Sequence, residues 1–247
     1  MSNRLLRFLC LMLQILVIGA CLAVCVYGIL ISVETSDSYH YIAVTARVAI
    51  LLLLTLAYYK TSMSSFDPGN VFMILALLFL SAAELNILSY FSAMTGWGII
   101  PPRVGVRLQL FSQFMSYFSI AGFGLYYQNN EQVNTSGFSI MGTLGILFLS
   151  LMIPATQDID SVWGLLAPRI TLGVVATTAF IVMLIVLFNE QSKSGVMRFL
   201  GLIFLMAGNL VTVLFGSEFL YYAVGSGIFV FGGFILMLAT LRNSVIL

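Results

Sequence analysis

Apolar residues fill this chain in long unbroken runs, without the alternating or half-helical periods of a soluble domain. Eight runs approach or exceed the ~20 residues that a membrane-crossing helix needs. They cover approximately 8–33, 40–60, 70–93, 105–127, 137–155, 168–189, 197–216 and 219–241. Turn-rich connectors such as "KTSMSSFDPGN", "TGWGIIPPR", "QNNEQVNTSG" and "NEQSKSG" separate them. The pattern predicts an all-α, polytopic membrane bundle of about eight helices. Residues 1–39 read as an N-terminal anchor helix with its outer loop, and 40–247 as a seven-helix core. The fifth run is short and ends at Pro154, and only "FGSE" parts the last two, so seven spans stay open as an alternative. At the start, Arg4 and Arg7 precede "VIGAC", which resembles a lipoprotein cleavage box. Apolar sequence continues well past Cys21, however, and outruns the ~7–15-residue core of a signal peptide. An uncleaved anchor is expected.

Composition changes the picture by excluding function classes. The chain is 61% hydrophobic and 8% charged, with a mean hydropathy of +1.09. A soluble domain carries about a quarter charged residues, so the solvent must be lipid. A net charge of +1 argues against nucleic acid as a partner. Cys10, Cys21 and Cys25 all fall in the first run, with no disulfide framework and no CxxC pair, and read as small apolar filler.

Cations set the expected orientation. With the N-terminus inside, Arg4, Arg7, Lys60, Lys193, Arg198 and Arg242 are cytoplasmic, whereas Arg103, Arg107 and Arg169 are outside. Trp97 and Trp163 then both lie in outer connectors, as interfacial anchors should. The expectation is a multipass protein of the cell (cytoplasmic or inner) membrane with both termini cytoplasmic.

A repeat is visible inside the core. The phrases "LLFLSAAE", "ILFLSLMI" and "LIFLMAGN" align Glu84, Ile153 and Asn209 in one column. The preceding helices begin near His40, Arg107 and Arg169 and end in "LAYYK", "GLYYQ" and "IVLFN". Three helical hairpins and a closing helix follow from this register. Such a core, with a last helix "GSGIFVFGGFILMLATLRN", resembles the seven-helix membrane modules of bacterial receptors with diverse intracellular outputs. The resemblance implies a sensor-like role in signal transduction. It departs from the family at both ends, since an anchor helix stands where those receptors carry a sensing domain and no output domain follows Arg242.

Much chemistry is excluded by the short polar inventory. One histidine, His40, stands at a membrane edge, which rules out bis-histidine haem ligation and histidine-rich metal sites within this chain. The lysines, Lys60 and Lys193, both lie at helix ends, so a mid-membrane retinal Schiff base has no candidate. No GxSxG, P-loop or HExxH occurs. Asp158 and Asp160 read as a solvated turn without a third ligand. No cofactor, no metal and no enzymatic activity is expected.

One constellation stands out. The connector 61–69 is centred on residue 65, and positions 47 and 84 are centred within one residue of it. Arg47 and Glu84 should therefore meet at equal depth, roughly 10–12 Å below the outer helix ends at ~1.5 Å per residue. Unpaired charge in hydrocarbon costs at least a few kcal/mol, so the two should pair. Asn86, Gln109, Gln113 and Asn209 occupy similar depths, with Arg103, Arg107 and Arg169 nearer the mouth. Two readings follow: the pair pins two helices together, or it lines an outward-facing polar pocket suited to an anionic small molecule or a lipid headgroup. Three function classes compete: a sensor-like module or accessory subunit beside other membrane-protein subunits and lipids, a small transporter or permease component for an anionic or lipidic substrate, and an intramembrane enzyme. Discontinuous helices, which favour transport, are not marked by Gly or Pro within the spans except at Pro154.

Overall fold

The computed structural model describes residues 3–31, 35–62, 68–98, 101–128, 135–153, 166–215 and 219–245. Within them the helices are α1 (Asn3–Ile31), α2 (Thr35–Ser62), α3 (Pro68–Ala83), α4 (Asn86–Thr95), α5 (Pro102–Gln128), α6 (Thr135–Met152), α7 (Leu166–Asn189), α8 (Lys193–Phe215) and α9 (Phe219–Val245). Six segments are long and apolar enough to cross a membrane: Phe8–Ile31, Ser38–Lys60, Gly69–Ser92, Ala167–Asn189, Lys193–Phe215 and Phe219–Arg242. The third of them joins α3 to α4. This is a helical, membrane-embedded bundle. Pro154, Asp158, Asp160, Trp163 and Glu218 lie outside the described residues.

The expected fourth and fifth spans differ from the other six. The apolar part of α6, Gly137–Met152, has 16 residues and is shorter than a bilayer requires by itself. The 27-residue α5 has the length, but its mean hydropathy is lowered by Gln109, Ser112, Gln113, Ser116 and Ser119. All five are buried, and they recur at three- and four-residue intervals along one side of the helix. Helix α5 packs against α3, α4, α6 and α7. It is the covered centre of the bundle, and so it tolerates polarity that a lipid-facing helix would not.

Large apolar side chains point outwards elsewhere. On α6 and α7, Met141, Phe148, Val174, Ile181 and Phe188 are all exposed. In water such a surface would aggregate, whereas in hydrocarbon it is solvated.

Successive long helices alternate in direction, as ring contacts at each end show. Tyr27 stacks on Trp97, Tyr39 meets Phe219, and His40 meets Tyr90 and Tyr222 at one end, hereafter the Trp97 end. Phe72 meets Phe138, and Tyr127 meets Phe199, at the other. Gly96 ends α4 with φ of 71°, a left-handed conformation that a residue lacking Cβ adopts without strain, and its N–H donates to the Ser92 carbonyl. That turn sends Trp97 out of the helix.

Helices α8 and α9 make the closest approach. A methyl group on Gly208 would lie 2.3 Å from the backbone nitrogen of Phe229, and one on Gly232 would lie 2.4 Å from that of Leu205. Backbones in such contact gain dispersion along the crossing, which in lipid replaces the hydrophobic drive. Two apolar clusters result. The larger runs through α2, α3 and α5 to α9, and a smaller one gathers Ile18, Cys21, Cys25, Tyr41, Val44, Val48, Ile87 and Phe91 between α1, α2 and α4.

Candidate functional site

Glu84 sits where the third span breaks. Helix α3 stops at Ala83, α4 starts at Asn86, and Glu84 and Leu85 form a turn. Four bonds around it reach back three residues instead of four: Glu84 N–H to the Ser81 carbonyl, Leu85 to Ala82, Ile87 to Glu84, and Leu88 to Leu85. This is a tightened, 3₁₀-like step inside a membrane helix. The expectation that breaks are confined to Pro154 is thereby corrected. No Gly or Pro marks this one, so tertiary contacts outweigh the helical preference of the local sequence.

The break faces Arg47. One guanidinium nitrogen of Arg47 lies 2.5 Å from a Glu84 carboxylate oxygen, with the two side chains 4% and 7% exposed. The same group donates to Asn209 Oδ1 at 2.9 Å and to Thr212 Oγ1 at 2.6 Å, both on α8. Its carbon stands 4.6 Å from the centre of the Phe229 ring, a cation–π contact. Arg47 Nε is buried without a hydrogen-bond partner.

The network then crosses to α5. Asn209 Nδ2 donates to Gln113 Oε1 at 2.6 Å and to the Tyr117 hydroxyl at 3.3 Å. Tyr117 in turn donates to the Met206 carbonyl. One asparagine thus links a charged pair on α2 and the α3–α4 break to the polar side of the central helix. In low dielectric each bond is strong and each missing partner costly, so such a network favours one arrangement of its helices.

The remaining candidate residues divide. Arg47, Glu84, Gln113 and Asn209 come together. Asn86 is at the break, but its Oδ1 is buried without a partner and its side chain makes no bond to the pair. Gln109 is buried on α5, nearer the Trp97 end than Gln113. Arg107 binds the carbonyls of Ser150 and Ile153, filling orphan acceptors at the end of α6. Arg103 and Arg169 are exposed near the starts of α5 and α7. Both side chains of the ion pair are buried.

Three contributors escape a reading of the sequence. Thr212 and Tyr117 lie three and four residues beyond Asn209 and Gln113, so helical spacing from the amides would have found them. Gln14, the one amide in the first run, is fully buried and donates to Ser81 Oγ at 3.0 Å, three residues before Glu84. An amide alone in an apolar run was its available signal.

What the arrangement can do chemically is hold or release a helix segment; among the described residues no group of three or more His, Cys, Asp or Glu could hold a metal ion. No family model, curated protein or solved structure matches this chain, so its function must be argued from this site.

Proposed function

We propose that this chain is a non-enzymatic, sensor-like module or accessory subunit of a membrane complex, working as a two-state helix latch. One arrangement carries the reading: Glu84 lies in the break between α3 and α4 and is held by Arg47, which α8 holds in turn. Opening the pair would free α4 and its Trp97 end while α3 stays packed on α5. Packed interfaces of this kind are bistable and so convert a small local change into a discrete shift. The chain crosses the cell membrane eight times, with α5 and α6 as the fourth and fifth spans and both termini in the cytoplasm, and its partners are lipids and other membrane subunits.

Purification of the full tagged chain in mild detergent tests this. A stoichiometric membrane-protein partner is expected, with association altered by Glu84→Gln. One observation favours a second reading, a small transporter for an anionic or lipidic substrate: broken helices with charged residues at depth are common in transporters. A chain that purifies alone and moves an organic anion into vesicles would establish that reading and overturn the first. Reporter fusions after Gln128 and Arg242 should report cytoplasm, and one after Asp160 the exterior.

A further inference from the structure

We propose that Arg103 and Arg107, at the Trp97 end of α5, form a site for the phosphate of an anionic phospholipid. The two lie four residues apart, about one helical turn, and so share a side of α5. Arg103 is exposed and Arg107 is half-buried. Arg107 is engaged through one nitrogen only: its Nη1 donates to the Ile153 carbonyl at 2.5 Å and to the Ser150 carbonyl. Its Nη2 and Nε make no hydrogen bond among the described residues, and neither arginine has an ion pair there. Like charges one turn apart repel, and an anion between them removes that cost. The planar fork of donors on each guanidinium matches the oxygens of a phosphate.

Depth points to a lipid rather than a soluble anion. Helix α5, with 27 residues, is about 40 Å long. It overreaches a hydrocarbon core of about 30 Å by roughly 5 Å at each end. Arg103 is the second residue of the helix, so its backbone stands roughly 3–4 Å outside that core. The backbone of Arg107 stands roughly 2–3 Å inside it. Helical side chains lean toward the N-terminus, and a long cationic one reaches back to the headgroup layer. Both guanidinium groups therefore lie where lipid phosphates and ester groups are.

Helix α6 brings phosphates still closer. Its apolar part, Gly137–Met152, has 16 residues, about 24 Å, which is roughly 6 Å less than the hydrocarbon core. Lipid beside a short span thins locally, so headgroups descend toward the end of α6, where Arg107 is anchored. Phe148, Leu151 and Met152 are exposed there and offer an apolar seat for the acyl chains. Asp158 and Asp160, the first carboxylates after Ile153, lie outside the described residues and are the rival partners for the two arginines. The site rests on α5 and α6 crossing the membrane, which the reporter fusions test separately, and not on the latch.

Native mass spectrometry of the full chain, purified in mild detergent and given equal phosphatidylglycerol and phosphatidylcholine, provides the test. Phosphatidylglycerol should be retained in preference to phosphatidylcholine, and millimolar inorganic phosphate should not displace it. Arg103→Gln, which breaks no hydrogen bond or ion pair among the described residues, should reduce that preference about fivefold. Arg107→Gln should do the same, and Arg103→Gln carries the test if loss of the bonds to α6 unfolds that variant. Arg242→Gln, at the opposite end of the bundle, should leave the preference unchanged. Equal retention of the two lipids by the unaltered chain, or an undiminished preference in Arg103→Gln, overturns the site. A preference that emerges only when Asp158→Asn and Asp160→Asn are combined also overturns it, because the connector then holds the arginines. Displacement by inorganic phosphate would reveal a soluble-anion site, and an equal loss in Arg242→Gln would reveal diffuse charge; either result overturns the proposal.

Discussion

Asn209 accepts a hydrogen bond from Arg47 through its carbonyl oxygen and donates through its amide nitrogen to Gln113. A single side chain thus joins a cation on α2 to the central helix, and it is fully buried. Asn209→Leu fills the space without offering either bond. It leaves Arg47 and Gln113 each short of a partner, at about 1–3 kcal/mol apiece, so unfolding in detergent should report a loss of roughly 2–6 kcal/mol. Asn209→Asp keeps the acceptor for Arg47 but turns an acceptor toward Gln113, whose own amide can rotate to donate. It should be milder than Asn209→Leu, and the reverse order would show that the network does not hold α8.

The glycines of α8 and α9 should separate into two classes. On Gly208 a new methyl would meet the Phe229 nitrogen at 2.3 Å and the Gly225 carbonyl oxygen at 2.6 Å, both of them backbone. Backbone cannot rotate away, so Gly208→Ala must spread the helices and should cost at least about 1–3 kcal/mol. Gly19 has nothing within 4 Å of its added methyl. There the helical preference of alanine should dominate, for a gain of about 0.5–1 kcal/mol. Thermal unfolding of the two variants side by side checks the sign of each.

The turn between α7 and α8 should respond to acid. Partial burial raises the Glu190 carboxyl, but the Tyr127 hydroxyl, the Ser192 N–H and hydroxyl and the Arg198 charge together outweigh it, and its pKa falls below the ordinary carboxylate value. Tyr127 donates at 2.6 Å and Ser192 N–H at 2.8 Å. Ser192 also caps α8 by accepting from Gly195 N–H. A depressed folded pKa means that the stabilisation is present above the unfolded carboxylate pKa and is lost as pH falls through the folded one. Hydrogen exchange at the start of α8 should therefore rise on acidification across that window. Glu190→Gln should remove this pH dependence, and an unchanged profile would refute the assignment.

How much of this was legible depended on the type of signal. Arg47 and Glu84 could be paired because a hairpin fixes depth by counting and because charge in hydrocarbon demands a partner. Gln113 and Asn209 were legible for the same reason in weaker form. The break at Glu84 was not, since "SAAELN" contains nothing that opposes a helix and the turn depends on contacts from other elements. The bonds of Arg107 to the end of α6 were not legible, because a cation near a helix end looks the same whether it meets a ligand or the last carbonyls of a neighbour. Helix α5 was legible as a run, but its central position was not: a buried face of serines and glutamines lowers hydropathy just as a surface face would.

The sharpest test concerns the ion pair itself. Arg47 and Glu84 are both more than nine-tenths buried, and Asn209 and Thr212 complete the shell around the guanidinium. Glu84→Gln removes one charge and leaves the other buried, which should destabilise by about 3–5 kcal/mol. The double change Arg47→Met with Glu84→Leu removes both and replaces them with apolar volume. It should recover most of that loss, because the attraction of a buried pair is largely offset by its desolvation. The helix break provides the decisive readout. If the pair holds Glu84 and Leu85 out of the helix, the stable double variant should regain ordinary four-residue bonding there, and exchange of the Glu84, Leu85, Ile87 and Leu88 amides should slow. A latch that depends on the pair then fails in partner association although the protein folds and reaches the membrane. A double variant that keeps both the break and its partner would reduce the pair to a pin between two helices.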